Sequence, residues 1–326
     1  MNRTIGFSTT IPVEVIIAAG DRPVDLNNVF ITDPAPQRFV ELAEQEGYPR
    51  SMCNWIKGIY GVVREQDAVN AVIVVTQGDC SNALAMMETL ELRGVETIPF
   101  GFPYNRDHDL LNLQIEKLIE ELGTTMSDTL AVRNRLKPLR EKLKQLDNLS
   151  WRENAVSGKE NHLWLVSSSD FNGDPEQFER ELDAFIKEAR NRTPRKEAIR
   201  LAFIGIPPIF TDFYDYLEAH GARVVFNEIQ RQFSMPFETD DFTEQYLRYT
   251  YPYDIFTRIE DIKTEIERRN VDAIIHYVQS FCHRQIEDMI LKEKIRMPII
   301  TIEGERPGPL DARTKLRIDN FLEMLG

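Results

Sequence analysis

Three cysteines are the residues of this chain best suited to metal or redox chemistry, and two of them occupy matching positions. Cys80 follows the apolar run 71–75, and Cys282 follows the apolar run 273–278. Each run predicts a buried β-strand, so each cysteine is expected where a strand ends. Open parallel sheets bind ligands beyond the carboxyl ends of their strands. We therefore expect Cys80 and Cys282 to face one shared cleft, with a cofactor bound there.

The third cysteine, Cys53, lies at or just before the start of a predicted helix over 52–58. Helix N-terminal amides and the helix dipole stabilise a thiolate, so this position suits a metal ligand. The long gaps between the three cysteines match no compact zinc or ferredoxin signature, and their odd number makes a poor disulfide framework. A single cysteine is usually a core residue. Thiols at a helix start and at two strand ends instead favour an iron–sulfur cluster or zinc.

The elements around the cysteines predict two α/β units built alike. In each half a strand leads to the cysteine, then to a helix (84–92 or 286–294), then to a second β-rich run (97–102 or 298–302). A chain of 326 residues is long enough for two domains. We predict an α/β fold of two doubly wound, Rossmann-like domains with parallel sheets, related by an approximate internal repeat. The predicted domains are 1–155, with a helical extension, and 156–326.

Further elements, both between and within the two units, are predicted from apolar spacing and from the positions of Gly and Pro. Residues 107–149 predict a two-helix connecting segment broken at Gly123, and 175–190 predicts a further amphipathic helix. In the first unit, Pro12 to Gly20 predicts a helix and 29–31 a second strand. The aromatic and acidic stretch 233–253 predicts a packed interface loop.

The first strand-to-helix turn offers three further site residues: Ser8, Thr9 and Glu14. Such a turn can present helix amides to an anion, and a carboxylate on the first helical turn can transfer a proton. We expect these residues to face the same cleft as the cysteines. In the alternative interpretation Ser8 or Thr9 caps the helix and Glu14 only favours its dipole. His276 and His283 lie near Cys282 in sequence, but a strand histidine is more often packed than functional.

Composition limits the classes of function. The net charge of −14 argues against nucleic acid as a partner, because that binding depends on clustered Lys and Arg. No apolar stretch is long enough for a membrane span, so we expect a cytoplasmic protein. Neither a Walker motif nor a dinucleotide glycine fingerprint occurs, so the chain is not expected to bind ATP itself.

An ordered set of segments resembles the 2-hydroxyacyl-CoA dehydratase and benzoyl-CoA reductase family. The set covers nearly the whole chain, and no single motif carries it. It comprises the opening 5–24, the three cysteine positions, 123–146, 157–158, 205–208, 221–225, the block 270–283 and 317–321.

The resemblance implies a [4Fe-4S] cluster held between the domains by Cys53, Cys80 and Cys282, with one iron left open to substrate. It also implies reductive radical dehydration or reduction of an acyl-CoA thioester in anaerobic metabolism, driven by a separate ATP-hydrolysing iron–sulfur activator. A homodimer or a paired homologous subunit is expected. The three cysteines do not distinguish such a [4Fe-4S] enzyme from an [8Fe-9S] double-cubane reductase of small molecules. A non-catalytic cluster carrier or scaffold is the alternative of a different class, and zinc is the alternative metal.

Overall fold

Two four-stranded, all-parallel β-sheets form the framework of the protein. The computed structural model describes residues 3–65, 69–196, 198–249 and 251–326. The first sheet has the order β2-β1-β3-β4, and the second has the order β6-β5-β7-β8. The strands are β1 (Thr4–Phe7), β2 (Arg22–Asp25), β3 (Ala71–Gln77), β4 (Glu96–Gly101), β5 (Ile199–Gly205), β6 (Ala222–Asn227), β7 (Ala273–Gln279) and β8 (Ile299–Gly304). The predicted α/β fold with two Rossmann-like sheets is confirmed, and the matching strand orders agree with the internal repeat.

The central strands are buried on both faces, which explains their sequences. The first five residues of β3 and all seven of β7 are buried. Parallel strands covered by helices on both faces read as continuous apolar, β-branched runs rather than as alternating patterns. This is why the strands before Cys80 and Cys282 were recognisable from sequence.

Among the described residues, five helices precede β4. They are α1 (Val13–Ala18), α2 (Leu26–Thr32), α3 (Gln37–Gln45), α4 (Asn54–Glu65) and α5 (Ser81–Leu92). The predicted strand at 29–31 is wrong, because these residues lie in α2. Asp25 caps α2 by accepting a hydrogen bond from the Asn27 amide (2.9 Å), and Leu26 and Phe30 bury one face of the helix. The second strand lies earlier, at Arg22–Asp25.

The helical connection follows the first sheet. It contains α6 (His108–Glu121), α7 (Met126–Trp151), α8 (Gly158–Ser167), a 3-10 turn at Phe171–Gly173, and α9 (Pro175–Ala189). The predicted break at Gly123 is confirmed, with Gly123 at a φ of +69°. The predicted domain boundary at 155/156 stays a prediction.

The remaining helices follow β5 in the chain. They are α10 (Phe213–Ala219), α11 (Glu228–Ser234), α12 (Phe242–Leu247), α13 (Ile255–Arg268), α14 (Arg284–Lys294) and α15 (Ala312–Leu325). The stretch 233–253 is packed as expected but contains the helix α12; Thr250 lies outside the described residues. None of the helices in the described ranges is long and apolar enough to cross a membrane.

The two sheets share an apolar cluster, which brings their carboxyl ends together. The cluster includes Val72 and Val74 of β3, Phe203 of β5 and Ile275 of β7, together with residues of α2 to α5 and α15. The opposite face of the first sheet packs against α6 to α9, and the outer face of the second sheet packs against α13 and α14. A site built from both halves therefore rests on a continuous core.

Candidate functional site

A cavity of about 340 Å³ brings the three cysteines together. Cys53, Cys80 and Cys282 all line it, although they are far apart in the sequence. Its wall also takes residues from the loops after β1 and β5 and from α2 and α11, the helices that directly follow β2 and β6. The expectation that the strand ends of both halves contribute to one cleft is thus confirmed.

Cys80 is positioned by a tight turn between β3 and α5. It is the residue before α5 and has an extended backbone, and its amide donates to Oδ1 of Asp79 (2.7 Å). Gly78 makes this turn possible, with a φ of +98°. A Cβ there would lie 2.9 Å from Cβ of Phe102 and 3.0 Å from the carbonyl oxygen of Pro252. Only glycine fits such a close approach without strain.

Cys282 is held by an equivalent turn between β7 and α14. Its amide donates to the carbonyl oxygen of Gln279, the last residue of β7 (3.0 Å). Phe281, the residue before Cys282, has a φ of +66°, which is in the left-handed region. The two predicted repeat positions therefore carry their thiols on matching strand-to-helix turns.

Cys53 immediately precedes α4, and α4 is packed closely against α3. Its carbonyl oxygen accepts from the Lys57 amide (3.2 Å) in the first turn of α4. Gly61 allows the close packing, since a Cβ there would lie 2.2 Å from the carbonyl oxygen of Phe39 in α3. The Cys53 side chain is buried, with 7% exposure.

Burial keeps the three thiols neutral in the protein chain alone. It raises the pKa of Cys53 to about 11, and Cys282 adds to the effect. It raises the pKa of Cys80 to about 12, with Asp79 as the next cause, and raises that of Cys282 as well. A cation bound by these sulfurs must therefore displace protons, and its own charge supplies the stabilisation that the thiolates lack.

Ser8 and Thr9 line the cavity as expected. The Ser8 hydroxyl accepts from the Val75 amide (3.3 Å), and the Ser8 carbonyl accepts from Nδ2 of Asn27 (2.9 Å). Neither residue caps α1, whose first turn follows Pro12 without a side-chain cap. Their place on the wall is clear, and their catalytic role stays a prediction.

Glu14 lies elsewhere, which corrects the expectation that it faces the cysteine cleft. It is fully buried and is not among the described residues that line the cavity. Oε1 of Glu14 lies 2.7 Å from Nη1 of Arg140, and Oε2 accepts from the Tyr246 hydroxyl (2.5 Å). Burial alone would raise the pKa of Glu14, but the Arg140 charge and these hydrogen bonds hold it below its usual value. Glu14 thus ties α1 to α7 and α12.

The two histidines near Cys282 differ in position. His276 is fully buried in β7, and its Nδ1 lies 2.9 Å from Oδ1 of Asp288. It does not line the cavity, which agrees with the packed interpretation. His283 does line the cavity.

Sequence reasoning missed several ionisable groups on the cavity wall, among them Asp25 and Arg284. Asp25 is buried at the end of β2, and its amide donates to Oδ2 of Asp170 (2.8 Å). Arg284 is buried beside Cys282, with Nη1 donating to Oε2 of Glu287 (3.1 Å) and Nη2 to the Tyr251 carbonyl (3.1 Å). Two features of the sequence could have indicated these residues. Asp25 lies at the end of a strand, and Arg284 follows the candidate ligand Cys282 by two residues.

Two comparisons with known proteins bear on the origin of this site. Among curated proteins, none matches the chain at a significant level. A family model, by contrast, matches residues 8–325, a range that includes every strand of the two sheets except β1, the three cysteines and the wall of the cavity. The chain therefore belongs to the HGD-D family, described as the 2-hydroxyglutaryl-CoA dehydratase D-component.

Proposed function

We propose that this protein is an iron–sulfur enzyme component of the 2-hydroxyacyl-CoA dehydratase type. In this proposal Cys53, Cys80 and Cys282 hold a [4Fe-4S] cluster, and the adjoining cavity receives an acyl-CoA thioester or a small reducible molecule. Membership of the HGD-D family supports a dehydratase-type component. The observation that carries the rest is the convergence of three distant cysteines on one cavity.

The donor set fits a cluster better than it fits a single zinc ion. In the described part of the chain, no group of three or more His, Cys, Asp and Glu side chains is arranged to hold one metal ion. One zinc ion requires every sulfur at about 2.3 Å from the same centre. A cluster distributes its thiolates over different irons, so its ligands lie farther apart. Three thiols that line one cavity supply the donor type that such a cluster uses, which supports the proposal.

When bound, a [4Fe-4S] cluster would supply a low-potential electron and one iron open to a substrate oxygen. The protein's own residues supply the surroundings. Apolar side chains such as Ile56, Ile206 and Phe210 line the cavity and limit the access of water. Arg284 places a buried positive charge beside Cys282, where it favours the thiolate. Ser8 and Thr9 place hydroxyl groups on the part of the wall that the first half of the chain contributes, as candidates for orienting a substrate oxygen.

The size of the cavity favours an enzyme over an electron carrier. Its volume of about 340 Å³ falls within the range of small-molecule pockets. A carrier needs no space beside its cluster, whereas an enzyme must admit substrate there. We therefore propose catalysis, with electrons from a separate ATP-hydrolysing activator and with a homodimer or a homologous subunit as the assembly.

Anaerobic reconstitution with iron and sulfide tests the cluster. The wild type is expected to bind about four irons per chain, or about eight if the cluster is a double cubane. Each single variant, Cys53→Ser, Cys80→Ser and Cys282→Ser, should lose most of the iron and the visible absorption. Full iron content in all three variants would overturn the ligand assignment.

Electron paramagnetic resonance of the reduced protein tests the catalytic part. Titration with 2-hydroxyacyl-CoA thioesters is expected to change the spectrum of the wild type. Ser8→Ala and Thr9→Val should retain the cluster but weaken this response. A spectrum that no thioester and no small reducible substrate alters would favour the carrier.

A further inference from the structure

The backbone carbonyl of Glu305 connects two of the three cysteine segments. Glu305 follows β8, at the start of the loop 305–311. Its oxygen accepts from Nδ2 of Asn54 (2.5 Å) and from Nε2 of Gln279 (2.6 Å). Asn54 belongs to the first half of the chain and Gln279 to the second, so this single oxygen joins both halves.

Each of the two amide side chains belongs to a segment that positions a cysteine. Asn54 directly follows Cys53 and is the first residue of α4. Gln279 ends β7, and its carbonyl oxygen accepts from the Cys282 amide (3.0 Å). A continuous path therefore runs from Cys53 through Asn54, Glu305 and Gln279 to Cys282. Asn54 and Gln279 are both buried, with 6% and 0% exposure.

The side-chain amide of Gln279 has its orientation fixed by a neighbour. Tyr277 donates its hydroxyl to Oε1 of Gln279 (3.2 Å) and accepts from the Ile209 amide (3.1 Å). Because Oε1 is occupied by a donor, Nε2 is the atom directed at the Glu305 carbonyl.

The loop that carries the Glu305 carbonyl is itself anchored. The Thr211 amide donates to the Gly308 carbonyl (2.9 Å), and the Leu310 amide donates to Oδ1 of Asp212 (2.7 Å). Gly304, just before Glu305, packs so closely that a Cβ there would lie 1.9 Å from the Tyr277 hydroxyl. The carbonyl is therefore a fixed point rather than part of a free loop.

We infer that Asn54 and Gln279 are positioning residues that, through the Glu305 carbonyl, set the spacing of Cys53 and Cys282. The inference rests on the proposed cluster for its purpose, since a cluster held by both halves requires thiolates at a fixed separation. It assigns a role to the loop 305–311, which contributes no residue to the cavity wall. Hydrogen bonds behind the ligands commonly determine how firmly a metal centre is held.

Three variants and two measurements test this inference. Asn54→Ala and Gln279→Met remove the amide donors without adding a buried charge. Asn191→Ala is the matched control, since Asn191 is exposed and its Nδ2 donates to the Lys187 carbonyl (2.8 Å) away from the cavity. If Gln279→Met does not fold, Gln279→Asn replaces it, because that variant keeps the amide but retracts it by one methylene.

The first measurement uses metal-free protein, so it does not depend on the cluster. Hydrogen exchange is expected to become up to about tenfold faster in peptides covering 53–58 and 279–285, the scale of one lost hydrogen bond. Both site variants should show this, and Asn191→Ala should not. Unchanged exchange in both peptides of both site variants would overturn the inference.

The second measurement uses reconstituted protein. Transfer of iron to a chelator should be about tenfold faster in the two site variants than in the control, and the electron paramagnetic resonance spectrum of the reduced cluster should shift. Iron retention and spectra equal to those of Asn191→Ala would overturn the inference. Failure of the wild type and the control to bind iron and sulfide would instead contradict the proposed function, and the exchange measurement would still decide the positioning role.

Discussion

Glu14 and Arg140 form an ion pair in the interior of the protein, with 2.7 Å between Oε1 of Glu14 and Nη1 of Arg140. Tyr246 and Gln245 of α12 donate to the same carboxylate (2.5 and 3.1 Å). The pair therefore links α1, α7 and α12, which come from distant parts of the chain. Removing one partner of such a pair leaves the other charge buried and uncompensated.

Glu14→Gln is expected to destabilise the fold by about 3–5 kcal/mol, because Arg140 then lacks its counter-charge. Denaturant unfolding of the metal-free protein measures this. Glu176→Gln is the control, since Glu176 pairs with Arg135 at the surface and should cost less than about 1 kcal/mol. Iron binding at the cysteines should be the same in both variants. Unaltered stability of Glu14→Gln combined with loss of activity would restore the proton-transfer role.

The sequence predicted the cysteine turns because the local pattern and the fold agree there. Buried parallel strands read as apolar runs, and a residue that follows such a run lies at the carboxyl end of the sheet. Cys80 and Cys282 could therefore be placed from local sequence alone. Their convergence with Cys53 also needed the packing of α4 on α3, which depends on Gly61 and which no local pattern reveals.

Glu14 could not be placed from sequence, because its partners are far away in the chain. Arg140 and Tyr246 are ordinary residues of amphipathic helices, and nothing in their spacing indicates that both reach α1. The strand predicted at 29–31 is wrong for a related reason. The β-branched content of these residues favours a strand, but the Asp25 cap and the burial of Phe30 select a helix.

Gly304→Ala tests the packing that holds the loop 305–311. The added Cβ would lie 1.9 Å from the Tyr277 hydroxyl, so Tyr277 or β8 must shift. We expect a loss of about 2–3 kcal/mol in the free energy of unfolding. Gly101→Ala is a close control, since Gly101 ends the equivalent strand β4 and the nearest atom to its added Cβ is 3.5 Å away. Equal costs at both positions would show that the close approach at Tyr277 does not restrain the loop.

Asp170 is expected to make stability depend on pH. Burial, with the nearby Asp25 charge as the next cause, raises the pKa of Asp170 from 3.8 to about 7. Between these values the folded protein binds a proton that the unfolded chain does not. The stability that the protonated Asp170 side chain contributes is therefore fully present below about pH 4 and is lost as the pH rises through about 7.

Unfolding of wild type and Asp170→Asn between pH 5 and pH 8 measures this dependence. The stability of the wild type relative to the variant should fall by about 2–3 kcal/mol over that range. The variant loses one acceptor for the Asp25 or Asn172 amide at every pH, so the change with pH is the informative quantity. Asp174→Asn, at the exposed cap of α9, is the control. A constant difference between wild type and Asp170→Asn would contradict the prediction.

His162 is expected to stay neutral at physiological pH, in contrast to His108. His162 lines the cavity that holds the three cysteines and packs on the Tyr214 ring, with 4.9 Å between ring centroids. Burial lowers the pKa of His162 from 6.5 to about 4. His108 lies at the surface, where hydrogen bonds with Asp241 and Asp109 raise its pKa above 6.5.

Histidine ring resonances in nuclear magnetic resonance spectra distinguish His162 from His108. The variants His162→Gln and His108→Gln assign each resonance to its residue. Between pH 5 and pH 8 the ring of His108 should titrate and the ring of His162 should not. A neutral imidazole adds no positive charge to the cavity. A His162 ring that titrates near pH 6.5 would show that water reaches this wall of the cavity.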